Sequence, residues 1–292
     1  MRIERAAWWF VAPALIVLGV FFFIPVVSAF VMSLTDFDLY ALSDLENLRF
    51  IGFDNYGALL REPLFWKSLG NTLYFVVLGV PLSIGLSLAA ALLVNSKLAK
   101  FRGLFRTVFF APVVTTLVAV AVVWRYIFHT RYGFLNYGLE SMGLDPVDWM
   151  GDPHWAMPAI VILAVWKNFG YNMIILLAAL QNIPEDLYEA ARIDGASGWQ
   201  VFRHITLPGL GPVLLLVSLL TMTGYFQLFA EPYVMTEGGP LQSTLSVLYF
   251  MYEEGFKWWS LGRASAVAFL LFVLMFVVTL VQLRMARRGA QT

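Results

Sequence analysis

Six long apolar segments alternate with shorter polar stretches along the chain. They lie at about 8–34, 72–94, 107–128, 157–180, 212–230 and 264–283. Each approaches or exceeds the roughly 20 residues that an α-helix needs to cross the hydrocarbon core of a bilayer. The short segments of alternating polarity that are typical of membrane β-barrels do not occur. The pattern therefore predicts an all-α polytopic membrane protein with six transmembrane helices.

Four prolines lie within these segments or at their starts, namely Pro13, Pro25, Pro81 and Pro112. Neighbouring helices can satisfy the carbonyl groups that a proline leaves free, so we expect bends at these positions and no breaks. The first segment is too long for the apolar core of a cleaved signal peptide. We therefore expect it to remain as the first span.

The composition agrees with a membrane protein and removes several other classes. Apolar residues make up 60% of the chain, charged residues only 13%, and the mean hydropathy is +0.75. A soluble domain is usually far less apolar. A formal net charge of zero gives no indication of nucleic-acid binding. Because the chain has no cysteine, disulfides, iron–sulfur clusters and thiolate metal sites are excluded.

Lysine and arginine concentrate on one side of the predicted membrane. The loop at 95–106 carries no acidic residue, and its basic residues and those of the C-terminal tail are Lys97, Lys100, Arg102, Arg106, Arg284, Arg287 and Arg288. The positive-inside rule places this side, with both termini, in the cytoplasm. The longer loops at about 35–71, 129–156 and 231–262 are then expected to face outside.

The longest polar, helix-compatible segment runs over 183–208, on the predicted cytoplasmic side. Pro184 suits the first turn of a helix, and Gly195 is the residue type that commonly ends one. We expect a second short helix at about 198–206, closed by Pro208. Acidic residues outnumber basic ones here, which argues against a helix resting on lipid and favours insertion into a protein partner.

The same segment resembles the EAA loop of permease subunits of bacterial ATP-binding-cassette importers, in particular the carbohydrate branch. The matching positions are Glu189, Ala190, Ala191, Asp194, Gly195, Ala196, Phe202, Ile205, Leu207, Pro208 and Pro212. Further along, the string at 236–240 and the glycine and alanines at 262–266 are similar to sugar permeases of the maltose, trehalose and glycerol-phosphate type. The likeness covers roughly residues 70–283.

This resemblance implies the architecture of a type I importer permease with the MetI-like fold. It divides the chain into a first transmembrane helix and extracytoplasmic loop at 1–70, a core of five transmembrane helices at 71–283, and a cytoplasmic tail at 284–292. The loop at about 182–209 would dock into an ATPase subunit. The residues that would couple the two subunits are Glu189, Ala190, Ala191, Asp194, Gly195, Ala196, Leu207 and Pro208.

The resemblance also implies partners and a location. They are a second, homologous permease subunit, two copies of a nucleotide-binding ATPase subunit and an extracytoplasmic solute-binding protein, in the lipid of a bacterial or archaeal cytoplasmic membrane. The chain itself lacks the G-x-x-x-x-G-K-[ST] phosphate loop, so ATP and magnesium are expected on the partner ATPase. We expect no catalytic residue, cofactor or metal in this chain.

Polar residues within the fourth and fifth apolar segments are the candidates for a substrate path. At about 100° per residue, Asn168, Tyr171 and Asn172 share one helical face, and Lys167 points elsewhere. Aromatic faces with amide and hydroxyl groups suit a neutral sugar. Equally, such groups can form hydrogen bonds that join neighbouring helices.

The alignment that the resemblance implies selects similar positions for sugar binding. With the neighbouring Gln227, the predicted substrate-binding residues are Trp166, Asn168, Tyr171, Thr221, Tyr225, Gln227 and Leu228. Leu228 stands where the family has a polar residue, so the sugar need not be maltose. Lys167 could pair with Glu231 or a lipid head group, or it could recognise a substrate phosphate.

The predicted function is therefore that of a permease subunit of an ATP-driven sugar importer, with a disaccharide-like substrate. A glycerol-phosphate-like or polyol substrate is the alternative. An ion-coupled secondary transporter would need carboxylates within its spans, whereas every Asp and Glu here lies near or beyond a predicted membrane boundary. An intramembrane enzyme is disfavoured because the histidines lie outside the spans and no H-E-x-x-H occurs.

Overall fold

The computed structural model describes residues 5–44, 46, 48–96 and 100–289, and these form an all-helical chain. Within them the only β-type pairing is one isolated bridge between Thr35 and Phe50. Short π-helical turns occur at Gly19–Phe23, Phe202–Thr206 and Glu253–Lys257. The α-helices are α1 Arg5–Leu18, α2 Ile24–Ser33, α3 Leu39–Ser43, α4 Asp54–Arg61, α5 Pro63–Asn95, α6 Arg102–Val114, α7 Leu117–Ile127, α8 Phe134–Ser141, α9 Pro153–Gln181, α10 Glu185–Ile193, α11 Gly198–Val201, α12 Leu207–Gly209, α13 Gly211–Phe226, α14 Ala230–Met235, α15 Val247–Tyr252 and α16 Leu261–Gly289.

Four continuous helical stretches in the described residues are long and apolar enough to span a membrane. They are Trp8–Ser33, Pro63–Asn95, Pro153–Gln181 and Leu261–Ala286. Two bent helix pairs raise the number of candidate spans to six if each pair counts as one. The apolar window of the first stretch has no buried residue, as expected for side chains that face lipid.

The predicted third span, at 107–128, is broken. Helices α6 and α7 meet at an angle of 101° across Thr115 and Thr116. Pro112, where only a bend was expected, lies inside α6. Its carbonyl accepts hydrogen bonds from the N–H and the hydroxyl of Thr115, at 3.3 Å and 2.6 Å. The prediction of an unbroken helix was therefore wrong, because local bonds end α6 at this turn.

The second correction concerns the predicted helix end at Pro208. Helical structure continues from Gly198 through Gly209 into α13, with a bend of 67° between Gly209 and Gly211. Pro208 lies at the start of the short α12, directly after the π-helical turn at Phe202–Thr206. The span predicted at 212–230 also ends earlier, at Phe226, and a separate helix follows at α14.

Helices α5, α9 and α13 share an apolar core. Its buried members are Ala90, Ala91, Val94, Phe169, Met173, Leu176, Leu177, Leu180, Leu210 and Val217. Helix α6 approaches α9 so closely at Gly170 that a Cβ there would lie 1.9 Å from the Phe109 carbonyl oxygen. Ser87 of α5 donates to the Phe169 carbonyl of α9 at 2.9 Å. These contacts fix α9 at the centre of the region that holds the candidate site.

The residues up to Trp66 form a second compact unit together with Phe250–Leu274. Within it the Asn55 amide donates to the carbonyls of Ser33 and Thr35, at 2.9 Å and 2.8 Å. The backbone N–H of Arg49 bonds Asp36 at 2.7 Å and holds the pKa of that carboxyl below its usual value. Hydrogen bonds thus order the loop that follows α2.

Candidate functional site

A cavity of about 560 Å³ lies among α5, α9, α13 and α14. It is large enough for a small ligand, since ligand pockets usually measure about 300–1,000 Å³. Its lining combines aromatic rings, amides, hydroxyls and one residue of each charge. The lining residues are Phe75, Leu117, Ala164, Lys167, Asn168, Tyr171, Asn172, Leu220, Thr221, Gly224, Tyr225, Gln227, Leu228, Phe229, Ala230, Glu231 and Leu248.

Tyr225 is held in the cavity wall by its ring and leaves its hydroxyl without a partner. The ring stacks on Phe75 with centroids 4.9 Å apart, and it packs against α5 where Gly79 leaves room for it. The side chain is only 4% exposed. The hydroxyl lies near Ser83 and Asn168 but forms no hydrogen bond of ordinary geometry with a described residue. Buried polar groups normally have a partner, so this hydroxyl is available to a ligand or a water molecule.

The two asparagines of α9 differ in how their amides are used. Asn172 is buried and donates to the hydroxyls of Thr221 and Ser83, at 2.9 Å and 3.4 Å. This bond joins α9 to α13, which is the helix-joining role that the sequence left open for such residues. The Asn168 amide donates to the Ala164 carbonyl at 3.0 Å, one turn earlier in its own helix. Its carbonyl oxygen accepts no hydrogen bond from a described residue and can accept one from a ligand.

Lys167 stabilises the break between α6 and α7. Its ammonium group donates to the Pro112 carbonyl at 3.0 Å and to the Thr115 carbonyl at 2.9 Å. The last carbonyls of a helix have no partner within the helix, so a cation placed there satisfies them and suits the negative helix end. This contact with backbone carbonyls was not among the roles considered for Lys167 from the sequence.

Glu231 brings a carboxylate to the cavity from the first turn of α14, beyond the end of the span that closes at Phe226. Among the described residues it forms no ion pair, including with Lys167. Burial raises the pKa of Glu231, while its own backbone N–H and the Lys167 charge act in the opposite direction. Glu231 and Lys167 are the two charged residues of the lining.

Six of the seven predicted substrate-binding residues line this cavity, and Trp166 does not. The Trp166 ring instead packs on Trp124, with centroids 5.3 Å apart. Sugar contact by any of the seven stays a prediction. The sequence reading missed lining residues such as Phe75, Leu117 and Phe229, because an apolar residue in an apolar segment carries no sign of the cavity it faces.

The predicted coupling loop forms a second candidate site. Helix α10 has no buried residue and ends at Ile193, two residues before Gly195, whose φ of +71° suits glycine. The N–H groups of Gly195 and Ala196 bond the carbonyls of Arg192 and Ala191, at 3.2 Å and 2.9 Å. These two bonds are the Schellman pattern of a helix C-terminus. Ser197 and Gln200 then form a capping box that starts α11.

The predicted coupling residues lie on an accessible surface of this loop. Glu189, Ala190, Asp194, Gly195, Leu207 and Pro208 are exposed, and Ala191 and Ala196 are half-buried. Two large apolar side chains on the same loop are also exposed, Ile193 at 87% and Trp199 at 66%. Exposed apolar groups beside carboxylates are typical of a surface that another protein covers.

No group of His, Cys, Asp and Glu residues able to hold a metal ion occurs in the described part of the chain.

Comparison with known proteins identifies the family. Residues 68–290 match the family described as binding-protein-dependent transport system inner membrane component. The lactose transport system permease protein of Rhizobium radiobacter is 38% identical, over 96% of this chain and 93% of the relative. The trehalose/maltose transport system permease protein of Thermococcus litoralis is 36% identical, over 98% and 95%.

A solved structure has the same fold. It is a bacterial ABC transporter involved in the import of the acidic polysaccharide alginate, and one of its chains matches with a TM-score of 0.83 at 24% identity, over 98% of this chain and 96% of that one. The all-helical fold of these importer permeases is therefore also the fold of this protein. Since the family match spans most of the sequence and both relatives align over nearly all of it, the chain belongs to the family of binding-protein-dependent transport system inner membrane components.

Proposed function

We propose that this chain is the permease subunit of an ATP-driven importer of oligosaccharides, and that the cavity holds the sugar during its passage. The observation that carries this proposal is the cavity itself, about 560 Å³ in volume and lined by amides, hydroxyls and aromatic rings. Two relatives are named for lactose and for trehalose/maltose transport. Their names support a disaccharide-sized substrate.

The free hydrogen-bonding groups of the cavity suit sugar hydroxyls. The Tyr225 hydroxyl can donate, and the Asn168 carbonyl oxygen can accept. Tyr171 is 47% exposed and offers a ring face on which the C–H groups of a pyranose can pack. A neutral sugar needs this combination of flat apolar surface and polar groups.

We further propose that the loop around Glu189 couples the permease to ATP hydrolysis on a partner subunit, where ATP and magnesium bind. The exposed acidic and apolar side chains of α10 and α11 support docking of a protein with a basic and apolar cleft. A second permease subunit and two ATPase subunits would complete the transporter. A related alginate transporter was solved with an oligosaccharide-bound periplasmic protein, which supports an extracytoplasmic binding protein as a further partner.

In this proposal the six candidate spans cross a bacterial or archaeal cytoplasmic membrane with both termini in the cytoplasm. Closure of the ATPase pair would move the α10–α11 region and open the cavity alternately to the two sides. A glycerol-phosphate-like substrate gains no support, because the Lys167 ammonium already donates to two backbone carbonyls. An ion-coupled mechanism likewise has no specific observation in its favour.

The test uses the complete complex, reconstituted in proteoliposomes, with radiolabelled lactose and maltose as probes. Tyr225→Phe removes only the unpartnered hydroxyl, so the stability of the complex should not change. Loss of one sugar hydrogen bond, about 1 kcal/mol, should weaken ATP-dependent uptake at low sugar concentration about fivefold.

Thr223→Ala is the matched control, because Thr223 lies on the same helix, outside the cavity lining, and bonds only the Leu219 carbonyl. Its uptake should equal that of the wild type. ATP-independent uptake, or identical uptake by the Tyr225→Phe variant and the wild type, would refute the proposed role of the cavity.

A further inference from the structure

The two charged residues of the cavity, Lys167 and Glu231, differ in whether other groups contact their charges. The Lys167 ammonium group donates hydrogen bonds to two backbone carbonyls at the break between α6 and α7. Glu231 has no cation as an ion-pair partner among the described residues. A ligand in the cavity therefore meets a carboxylate whose charge is not neutralised by direct contact.

Among the described residues, Lys167 acts on Glu231 through its charge across the cavity, but no cation contacts the Glu231 carboxylate directly. Helix α14 packs against α7 and α9. The charged residue of α7, Arg125, donates to the Val234 carbonyl at 3.3 Å, and the charged residue of α9 is Lys167. The other ionisable side chains of the lining are Tyr171 and Tyr225.

We infer that Glu231 determines the charge of the sugar that this permease accepts: it binds hydroxyl groups of neutral sugars and rejects acidic sugars. This inference rests on the proposed function of the cavity. A carboxylate accepts hydrogen bonds from adjacent sugar hydroxyls, and a charged acceptor forms roughly twice as strong a bond as a neutral one. The same charge repels the carboxylate, sulfonate or phosphate of an acidic sugar.

The family alone does not decide this point. The relatives are named for lactose and trehalose/maltose, which are neutral, whereas the structural neighbour imports an acidic polysaccharide. A residue that selects sugars by their charge would therefore distinguish substrates that these transporters handle. In this chain the selecting group is a side chain just beyond the fifth span, at the edge of the cavity.

The experiment measures equilibrium binding to the complete complex in nanodiscs, without nucleotide, at pH 8. The probes are lactose, maltose, cellobiose and arabinobiose, each with the aldonic acid formed by oxidation of its reducing end. Glu231→Gln keeps the size and polarity of the side chain and removes its charge. We expect Kd for the bound neutral sugars to rise about fivefold and Kd for their aldonates to fall about tenfold.

Ring opening in the aldonates affects wild type and variant alike, so the decisive quantity is the change in aldonate Kd between the two proteins. Glu140→Gln is the matched control, since Glu140 is exposed on α8 and lies outside the cavity lining. It should change neither affinity. Because the pKa of Glu231 is raised, its negative charge is lost as the pH falls through that value, and the effect of Glu231→Gln should shrink as the pH is lowered from 8.

The outcomes separate this inference from the proposed function. If Tyr225→Phe weakens neutral-sugar binding while Glu231→Gln alters neither class of ligand, the cavity binds sugar and the inference about Glu231 is wrong. If no neutral probe binds, or Tyr225→Phe leaves binding unchanged, the proposed sugar site itself is refuted and the inference falls with it.

Discussion

Lys167 shows why a charged residue in an apolar segment cannot be assigned from sequence alone. Its partners are the backbone carbonyls of Pro112 and Thr115, more than fifty positions away along the chain. Backbone carbonyls exist at every position, so no residue type identifies them in advance. Asn168 was recognisable as a cavity candidate by its helical spacing and Tyr225 by the family resemblance, whereas the free Tyr225 hydroxyl depends on how α5 packs against its ring.

The structural role of Lys167 leads to a prediction about stability. Lys167→Met removes two charge-assisted hydrogen bonds, to the carbonyls of Pro112 and Thr115 at the end of α6. Each charge-assisted bond contributes about 1.5–3 kcal/mol, so we expect a loss of about 2 kcal/mol or more and an apparent Tm lower by about 5 °C. Thermal unfolding of the detergent-solubilised complex measures this.

Lys257→Met serves as the control for that measurement. Lys257 forms an exposed ion pair with Glu253 at 2.8 Å, and such surface pairs add little to stability. Equal melting temperatures for Lys167→Met and Lys257→Met would show that the carbonyl contacts do not hold the break between α6 and α7. That result would favour the alternative role of Lys167, recognition of a substrate phosphate.

At the level of helices, the sequence predicted helix ends correctly in the exposed loop around α10 and failed at the break between α6 and α7, where helices pack together. The start and end of α10 follow from Pro184 and Gly195, because caps act on neighbouring residues. The break at Thr115 and Thr116 was not predictable, since threonines occur in many helices and the bond from Lys167 is tertiary. Pro208 misled for a related reason: a proline in the first turn permits a helix as readily as it ends one.

The coupling helix supports a prediction of its own. Glu189 is exposed and has no salt bridge among the described residues, so Glu189→Lys should leave thermal stability unchanged. If α10 docks into the ATPase, reversal of this charge at the contact should lower ATP-driven uptake at least tenfold, since like or misplaced charges at an interface cost several kcal/mol. Uptake and co-purification of the ATPase subunit are the two measurements.

Asp145→Lys provides the same charge change on an exposed residue of the loop between α8 and α9. It should retain both uptake and the ATPase subunit. Wild-type uptake by the Glu189→Lys variant would count against the coupling role of α10, whatever the cavity binds.

For the whole molecule, the apolar pattern alone predicted the fold class. A helix that lies in lipid must be long and apolar, so each span is visible in the sequence as a long apolar segment. The arrangement of the helices is a different matter. The cavity depends on close approaches such as that at Gly170, which arise from side-chain packing between segments that look alike in sequence. The family resemblance predicted the type of transporter. That Glu231 lines the cavity and brings a carboxylate to it was known only from the structure.

The proposed orientation predicts which loops are reachable from outside the cell. The chain has no cysteine, so single cysteines can be introduced without background. Ser141 lies at the end of α8 and Arg203 in the turn after α11, and both are exposed. A membrane-impermeant maleimide should label Ser141→Cys in intact spheroplasts and Arg203→Cys only after permeabilisation. The basic loop at 95–106 and the basic C-terminal tail place their side of the membrane, which also carries Arg203, in the cytoplasm. Labelling of Arg203→Cys in intact spheroplasts would reverse the topology and place α10 on the side where no ATPase can dock.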